Sequence, residues 1–367
     1  MALHILLNLQ CFLLLLCLQC VCTTETPITA SKVIAKPGCQ DKCGNVSIPY
    51  PFGIGYGCAI DYVHFIIICN NNLPSATFGN LNVSSISILN GEITLSLDLA
   101  TDCSNKSTQL VGSEIGEHIG KFTFSNTKNK FIAIGCDTFA YLVTSNDNAS
   151  IGTGCLSSCN KIGDSTNGTC DGIGCCEASI PSGLNTYEAI VGGISTSRGI
   201  STSGRRNLSS NPCSYAFLTE KDSFNFSSSY LENFRNHGTL GVPAVVDWAI
   251  GTETCEEAQR NSTTYACGSN ADCVKGNNDV PGYRCSCKPG YEGNPYLNKS
   301  TGGYCQDIDE CSVKDLNNCS LGQGSNCTNT PGSFFCFCYE GYNPEFRDKV
   351  WECSPIQSRR IFNEIVL

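Results

Sequence analysis

The chain has 367 residues with 28 cysteines, 36 glycines and a formal charge of −10 at pH 7. No Lys/Arg cluster exceeds the pair Arg205-Arg206, which with that charge excludes a nucleic-acid binder, since a phosphate backbone needs a basic face. The cysteine density excludes a reducing compartment, where thiols stay unpaired.

Residues Ile5 to Cys22 are apolar apart from Asn8, Gln10 and Gln19, and the chain turns polar at Thr23. This resembles a secretory signal peptide over residues 1–22, so a secreted product is expected. Its removal discards Cys11, Cys17, Cys20 and Cys22, leaving 28 − 4 = 24 cysteines, an even number that suits complete pairing. No second apolar stretch of about 20 residues follows, so no membrane span is expected in this sequence. Asn45, Asn82, Asn105, Asn148, Asn167, Asn207, Asn225, Asn261 and Asn298 each open an Asn-x-Ser/Thr sequon and are predicted glycosylation sites. Asn318 and Asn326 do so with a cysteine in the middle, which makes them weaker acceptors.

From Cys39 to Trp248 the sequence predicts a mainly β, disulfide-rich region large enough to bury its own core. The runs Phe65 to Ile68, Ile86 to Leu89, Ile93 to Leu99, Phe131 to Ile134 and Phe139 to Val143 are rich in β-branched or aromatic residues and are separated by Gly, Asn and Ser. Ile93 to Leu99 alternates as a half-buried strand should. The best helix candidate is the short Tyr230 to Arg235. Cys39, Cys43, Cys58, Cys69, Cys103, Cys136, Cys155, Cys159, Cys170, Cys175, Cys176 and Cys213 lie in this region, and spacing leaves their pairing open.

Two six-cysteine arrays follow. Cys255, Cys267, Cys273, Cys285, Cys287 and Cys305 are separated by 11, 5, 11, 1 and 17 residues, and Cys311, Cys319, Cys327, Cys336, Cys338 and Cys353 by 7, 7, 8, 1 and 14. Cys336 and Cys338 flank one residue, so both leave the same face of a strand and take separate partners. Both arrays resemble EGF-like modules, over 255–305 and 307–353, with a tail at 354–367. The resemblance implies two small β-hairpin modules with pairing of first to third, second to fourth and fifth to sixth cysteine. It therefore implies Cys255 with Cys273, Cys267 with Cys285, Cys287 with Cys305, Cys311 with Cys327, Cys319 with Cys336, and Cys338 with Cys353.

The run Asp307-Ile308-Asp309-Glu310 before Cys311, with Asn329, Thr330 and Ser333 after Cys327, gathers the oxygen donors that suit Ca2+, a hard cation taking about six to eight of them. Resemblance to calcium-binding EGF-like modules implies side-chain ligation by Asp307, Glu310 and Asn329 and backbone ligation by Ile308, Thr330 and Ser333, with Asp309 shaping the site. The first array is preceded by Gly251-Thr252-Glu253-Thr254, which lacks this acidic pattern, so no ion is expected there. Gln306 alone separates Cys305 from Asp307, so an ion at the junction is expected to stiffen the tandem into a spacer.

The phrase Cys39-Gln40-Asp41-Lys42-Cys43-Gly44-Asn45-Val46-Ser47-Ile48-Pro49-Tyr50-Pro51-Phe52-Gly53-Ile54, running on to Cys58 and Cys69, resembles the galacturonan-binding extracellular domain of plant wall-associated receptor kinases. Further matches are Cys170-Asp171-Gly172-Ile173-Gly174-Cys175-Cys176-Glu177, Cys213-Ser214-Tyr215-Ala216-Phe217, Val246-Asp247-Trp248-Ala249-Ile250-Gly251 and Gly290 to Leu297. The resemblance implies a galacturonan-binding core at 39–103, the rest of the cysteine-rich region at 104–254, and an extracellular or cell-wall location with pectic polysaccharide as partner. Family members continue into a transmembrane helix and a kinase. Neither is read here, and no Gly-rich nucleotide loop with H-R-D or D-F-G occurs, so kinase activity is not expected of this polypeptide, and membrane association only through a segment absent from it.

Pectic galacturonan bears one carboxylate per sugar, so it needs cations, amides or aromatic faces. Residues 23–254 hold 13 Lys/Arg and 19 Asp/Glu, a balance of 13 − 19 = −6, and attraction must come from a local patch. Lys36 and Lys42, with Lys32, lie near the motif; Lys121, Lys128 and Lys130 are expected on a hairpin, and Arg205-Arg206 in a Ser-rich loop. Tyr50 and Phe52, flanked by Pro49 and Pro51, are candidates for an extended aromatic platform, although a ring between prolines beside a disulfide knot reads better as core at Phe52. An enzyme is not predicted. His64, His118 and His237 lie in no catalytic or zinc-ligand motif, and although Asp98 and Asp102 could be proposed as a glycosidase pair, such pairs come from separate elements and are not recognised by proximity in sequence. The alternative function is a protein-binding adhesive or decoy module acting through the EGF-like tandem.

Overall fold

The computed structural model describes residues 34–103, 113–146, 149–159, 162–193, 213–234, 241–319, 324–347 and 350–356. The predicted signal segment, Lys32, Arg205-Arg206, the sequons at Asn105, Asn148 and Asn207, and residues 357–367 lie outside them.

Three antiparallel sheets build the N-terminal region. The largest runs in the order β3 (Ile67–Asn70), β4 (Leu73–Ala76), β5 (Asn82–Ser87), β6 (Glu92–Leu97), β16 (Val242–Asp247) and β9 (Thr123–Phe124). A second is ordered β13 (Cys175–Ala178), β10 (Asn129–Ile134), β15 (Ser214–Glu220), β7 (Ala100–Asp102), and a third β12 (Ala149–Ser157), β11 (Thr138–Asn146), β14 (Thr186–Gly193), β8 (Ser113–His118). A small hairpin of β1 (Lys42–Cys43) and β2 (Val46–Ser47) stands before them. Burial explains the patterns. On β6, Ile93, Leu95 and Leu97 are buried and alternate with half-buried Glu92, Thr94 and Ser96, whereas Phe131 to Ile134 on β10, a strand with neighbours on both sides, are all buried.

Strand limits shift for local reasons. The predicted run at Phe65 enters β3 only at Ile67, because Ile66 instead bridges Gly53, whose N–H donates to the Phe65 carbonyl at 3.1 Å while its carbonyl accepts from the Ile67 N–H at 2.9 Å. The run at Ile86 ends at Ser87, and Leu89 is exposed in the following turn. The helix predicted at Tyr230 is α1 (Tyr230–Asn233).

The expected hairpin of Lys121, Lys128 and Lys130 does not form. β9 joins the six-stranded sheet and β10 a four-stranded one, and the lysines are engaged singly: Lys128 with Glu92 at 2.7 Å, Lys130 with Glu177 at 3.0 Å and Lys121 with Asp61 at 3.9 Å.

Six disulfides staple this region: Cys39–Cys58, Cys43–Cys69, Cys103–Cys213, Cys136–Cys159, Cys155–Cys176 and Cys170–Cys175. The first array pairs Cys255–Cys273, Cys267–Cys285 and Cys287–Cys305, and the second Cys311–Cys327, Cys319–Cys336 and Cys338–Cys353. Each array is hairpin-built. The first has β17 (Ala271–Lys275) with β18 (Tyr283–Cys287), the second β21 (Ser325–Thr330) with β22 (Ser333–Cys338) and β23 (Tyr342–Arg347) with β24 (Val350–Pro355). Between them β19 (Tyr291–Glu292) pairs with β20 (Gln306–Asp307), so the junction is itself a short ladder.

The first array is docked on the N-terminal region. Ile250 and Tyr283 exchange backbone hydrogen bonds at 2.8 and 3.0 Å, and Trp248, fully buried, lies 5.9 Å from the ring of Tyr296. Buried Asp247 accepts from the side-chain amides of Asn277 and Asn278, which satisfies a carboxylate that burial would otherwise leave costly. Asn294 Nδ2 donates to the carbonyls of Ile34 at 2.8 Å and Tyr50 at 2.7 Å.

Candidate functional site

Tyr50 and Phe52 diverge at a cis Tyr50-Pro51 peptide. Phe52 is fully buried, 4.9 Å from the Phe65 ring and 5.3 Å from Trp248 in an edge-on contact. That bears out the core reading of this residue and removes it from the candidate platform, because the ring has no surface left to offer. Tyr50 is half-buried, and burial raises its hydroxyl above the ordinary phenol value.

Lys36 is exposed, with Nζ donating to the Gly57 carbonyl at 2.9 Å and lying 5.9 Å from the centre of the Tyr50 ring. Lys36 and Tyr50 are thus brought together, while Lys42 is exposed on β1. Two residues that the sequence reading passed over stand beside them. Tyr56 is 93% exposed and Tyr62 51%, their rings 5.3 Å apart and inclined by 24°. The available signal was the string Gly55-Tyr56-Gly57, an aromatic between two residues able to bend sharply.

Next to this loop, Asp61 lies 3.7 Å from His64 Nδ1 and 3.9 Å from Lys121 Nζ. Burial lowers both the His64 imidazole and the Lys121 ammonium from their ordinary values; Lys121 lowers His64 further, and Asp61 opposes both shifts. Lys121 also caps the rings of Phe65 and Phe122 at 5.4 and 5.9 Å. Elsewhere, burial raises the Glu117 carboxyl above its ordinary value, and the charge of exposed Asp98 raises it further.

At the junction of the two arrays, Asp307 on β20 accepts from Asn329 Nδ2 at 2.8 Å and from the Gly332 backbone N–H. Thr330 and Ser333 close the β21–β22 turn, with Thr330 Oγ1 donating to the Ser333 carbonyl at 2.8 Å. Ile308 is held by its N–H to the Gly290 carbonyl at 2.9 Å. Glu310 is buried, and its Oε2, like Asn329 Oδ1, is a buried oxygen with no hydrogen-bond partner in the described structure. A buried acceptor left unpaired costs about 1–3 kcal/mol, and a hard cation is a partner that removes that cost. Both oxygens are donors of the kind Ca2+ takes, although among the described residues no group of three or more His, Cys, Asp or Glu gathers as a metal site.

Of the predicted sequons, Asn45, Asn82, Asn167, Asn225, Asn261 and Asn298 are exposed. Among the described residues no helix is long and apolar enough to cross a membrane.

Comparison with known proteins then places the chain. Residues 39–97 match the family model described as wall-associated receptor kinase galacturonan-binding, residues 167–256 the wall-associated kinase model, and residues 282–310 a complement Clr-like EGF-like model. Wall-associated receptor kinase 3 of Arabidopsis thaliana is 36% identical over 74% of this chain and 36% of its own length. Wall-associated receptor kinase 2 is 35% identical over 86% of the chain and 40% of its own length, and wall-associated receptor kinase 1 is 34% identical over 84% and 40%. The chain spans about two fifths of the length of these curated relatives. It is a homologue of the wall-associated receptor kinases, carrying the galacturonan-binding, wall-associated and EGF-like domains of that family.

Proposed function

We propose that this protein acts outside the cell as a binder of cell-wall pectic galacturonan, with Ca2+ fixing the junction between its EGF-like modules, and without a catalytic role of its own. The observation that carries the reading is the match of residues 39–97 to a galacturonan-binding model. In that segment Lys42 and Tyr50, and just before it Lys36, are the polysaccharide candidates that keep accessible surface. The exposed sequons are consistent with a glycosylated, secreted product.

Bound calcium would supply electrostatic cross-linking of oxygen donors. Asp307 brings the linker to the β21–β22 turn through Asn329 and Gly332, and the two unpaired oxygens of Glu310 and Asn329 are what an ion would engage. The ladder between β19 and β20 pairs the first array with the linker that carries Asp307.

The test is binding of the secreted, glycosylated full chain to size-defined oligogalacturonides, with calcium and with chelator, against neutral glucan oligomers. Selective binding that survives chelation is expected, because recognition is assigned to the N-terminal domain. Equal binding to the neutral oligomers would sink the reading. Exposed Phe335, Tyr339 and Phe346 on the second array favour a second reading, a protein partner held by the EGF-like tandem. That reading gains if galacturonide binding is absent while a protein ligand is retained.

A further inference from the structure

Tyr56 sits at the tip of a loop that the sequence builds outward. Gly55 and Gly57 adopt φ of +84° and +77°, a left-handed backbone that side chains disfavour, and the turn they make thrusts the intervening ring into solvent. The loop is nevertheless pinned. Cys39–Cys58 ties its end, Lys36 Nζ donates to the Gly57 carbonyl at 2.9 Å, and the Gly57 N–H donates to the Tyr62 hydroxyl at 2.7 Å. Tyr62 is anchored in turn by Asp61, whose Oδ1 accepts from the Val63 and His64 N–H groups at 2.9 and 2.7 Å.

The consequence is an aromatic ring that is almost wholly solvated yet held in one orientation. A free tyrosine on a Gly-x-Gly loop would lose conformational entropy on meeting a ligand; here Tyr62, stacked beneath it at 5.3 Å, has already absorbed that cost. The gap between the rings is too narrow for a sugar, so the surface on offer is the outer face of Tyr56. A pyranose presents an apolar face of C–H bonds to such a ring. An ammonium group beside it completes the chemistry, since Lys36 spends one of its three donors on Gly57 and keeps the others for a carboxylate.

We propose that the Gly55-Tyr56-Gly57 loop is a uronic-acid subsite in which Tyr56 stacks on one galacturonosyl ring, Tyr62 positions it, and Lys36 pairs with the carboxylate. This rests on the galacturonan reading given above and moves its aromatic contact from Tyr50 and Phe52 to a face neither of them shares.

The experiment is calorimetric titration of the full chain, in chelator, with an oligogalacturonide of defined length and with its methyl-esterified form. Tyr56→Ala is expected to weaken binding by about tenfold, Tyr56→Phe to keep it, and Tyr62→Phe to weaken it by about threefold through the freed loop. Lys36→Gln should erase the preference for the free acid over the ester. Thermal midpoints measured alongside show that each variant folds. If the unaltered chain binds and Tyr56→Ala binds equally well, the subsite is overturned while the galacturonan reading stands. If the unaltered chain binds no galacturonide, both fall.

Discussion

Phe52 and Asn329 show how a single side chain is assigned its work by what surrounds it. The Phe52 ring fills a space between Phe65 and Trp248 with no exposed surface, so Phe52→Ala is expected to cost about 3–5 kcal/mol, read as a lowered denaturation midpoint. Asn329 holds Asp307 with its amide nitrogen and leaves its oxygen buried and unpaired. Asn329→Ala should therefore weaken calcium binding by roughly tenfold or more while leaving galacturonide affinity in chelator unchanged; unchanged calcium affinity would remove Asn329 from the ligand set. His64 carries a pH signature. Its imidazole is lowered by burial and by Lys121, with Asp61 opposing, so on acidification the unfolded chain takes up this proton before the folded one does. The stability it contributes is full above the ordinary histidine value of about 6.5 and is lost as pH falls through it toward the folded value. His64→Gln should flatten the fall in thermal midpoint between about pH 7.5 and pH 5; an undiminished fall would place the acid sensitivity elsewhere.

Among elements, the strands were legible wherever burial had a clean period. Ile93, Leu95 and Leu97 announce β6, and the unbroken apolar run at Phe131 announces a strand covered on both faces. What sequence could not show was partnership: β9 and β10 follow each other closely yet belong to different sheets, because pairing across long separations leaves no local trace. A helix was missed for another reason. The chain from Cys255 to Arg260 forms α2, opened by Thr254, whose Oγ1 accepts from the Glu257 N–H at 3.3 Å while the Glu257 carboxylate accepts from the Thr254 N–H at 2.9 Å. That Thr-x-x-Glu capping box is readable, but the cysteine framework drew the reading toward loops. Thr254→Ala is expected to cost about 1 kcal/mol, and a midpoint identical to that of the unaltered chain would show that the Cys255–Cys273 bridge, not the cap, holds the helix. The calcium set and the EGF-like pairing came from resemblance, whereas the Tyr56 face required knowing that Tyr62 lies beneath it, a contact between residues six apart that no periodicity predicts.

At the scale of the whole molecule, the expected spacer is only half free. The first EGF-like module is welded to the N-terminal region by the Ile250–Tyr283 backbone exchange, the Trp248–Tyr296 ring contact and the amides that neutralise the isolation of Asp247. Expressed as residues 255–367 alone, it would bare Tyr283 and Tyr296, so the tandem is expected to bind an apolar dye or self-associate more than the full chain does. Asn294→Ala, which strips the two amide hydrogen bonds from the carbonyls of Ile34 and Tyr50, should speed amide hydrogen exchange around Tyr50 and the loop beyond it; unaltered exchange would mean that the rings and backbone bonds suffice. Those two hydrogen bonds bridge segments that are far apart in sequence. Tyr50 begins the stretch that leads to the Tyr56 loop, and Asn294 belongs to the first array, so this one amide joins segments 244 positions apart in the chain. The Tyr50 stretch and the first array are thereby tied to each other by a single side chain.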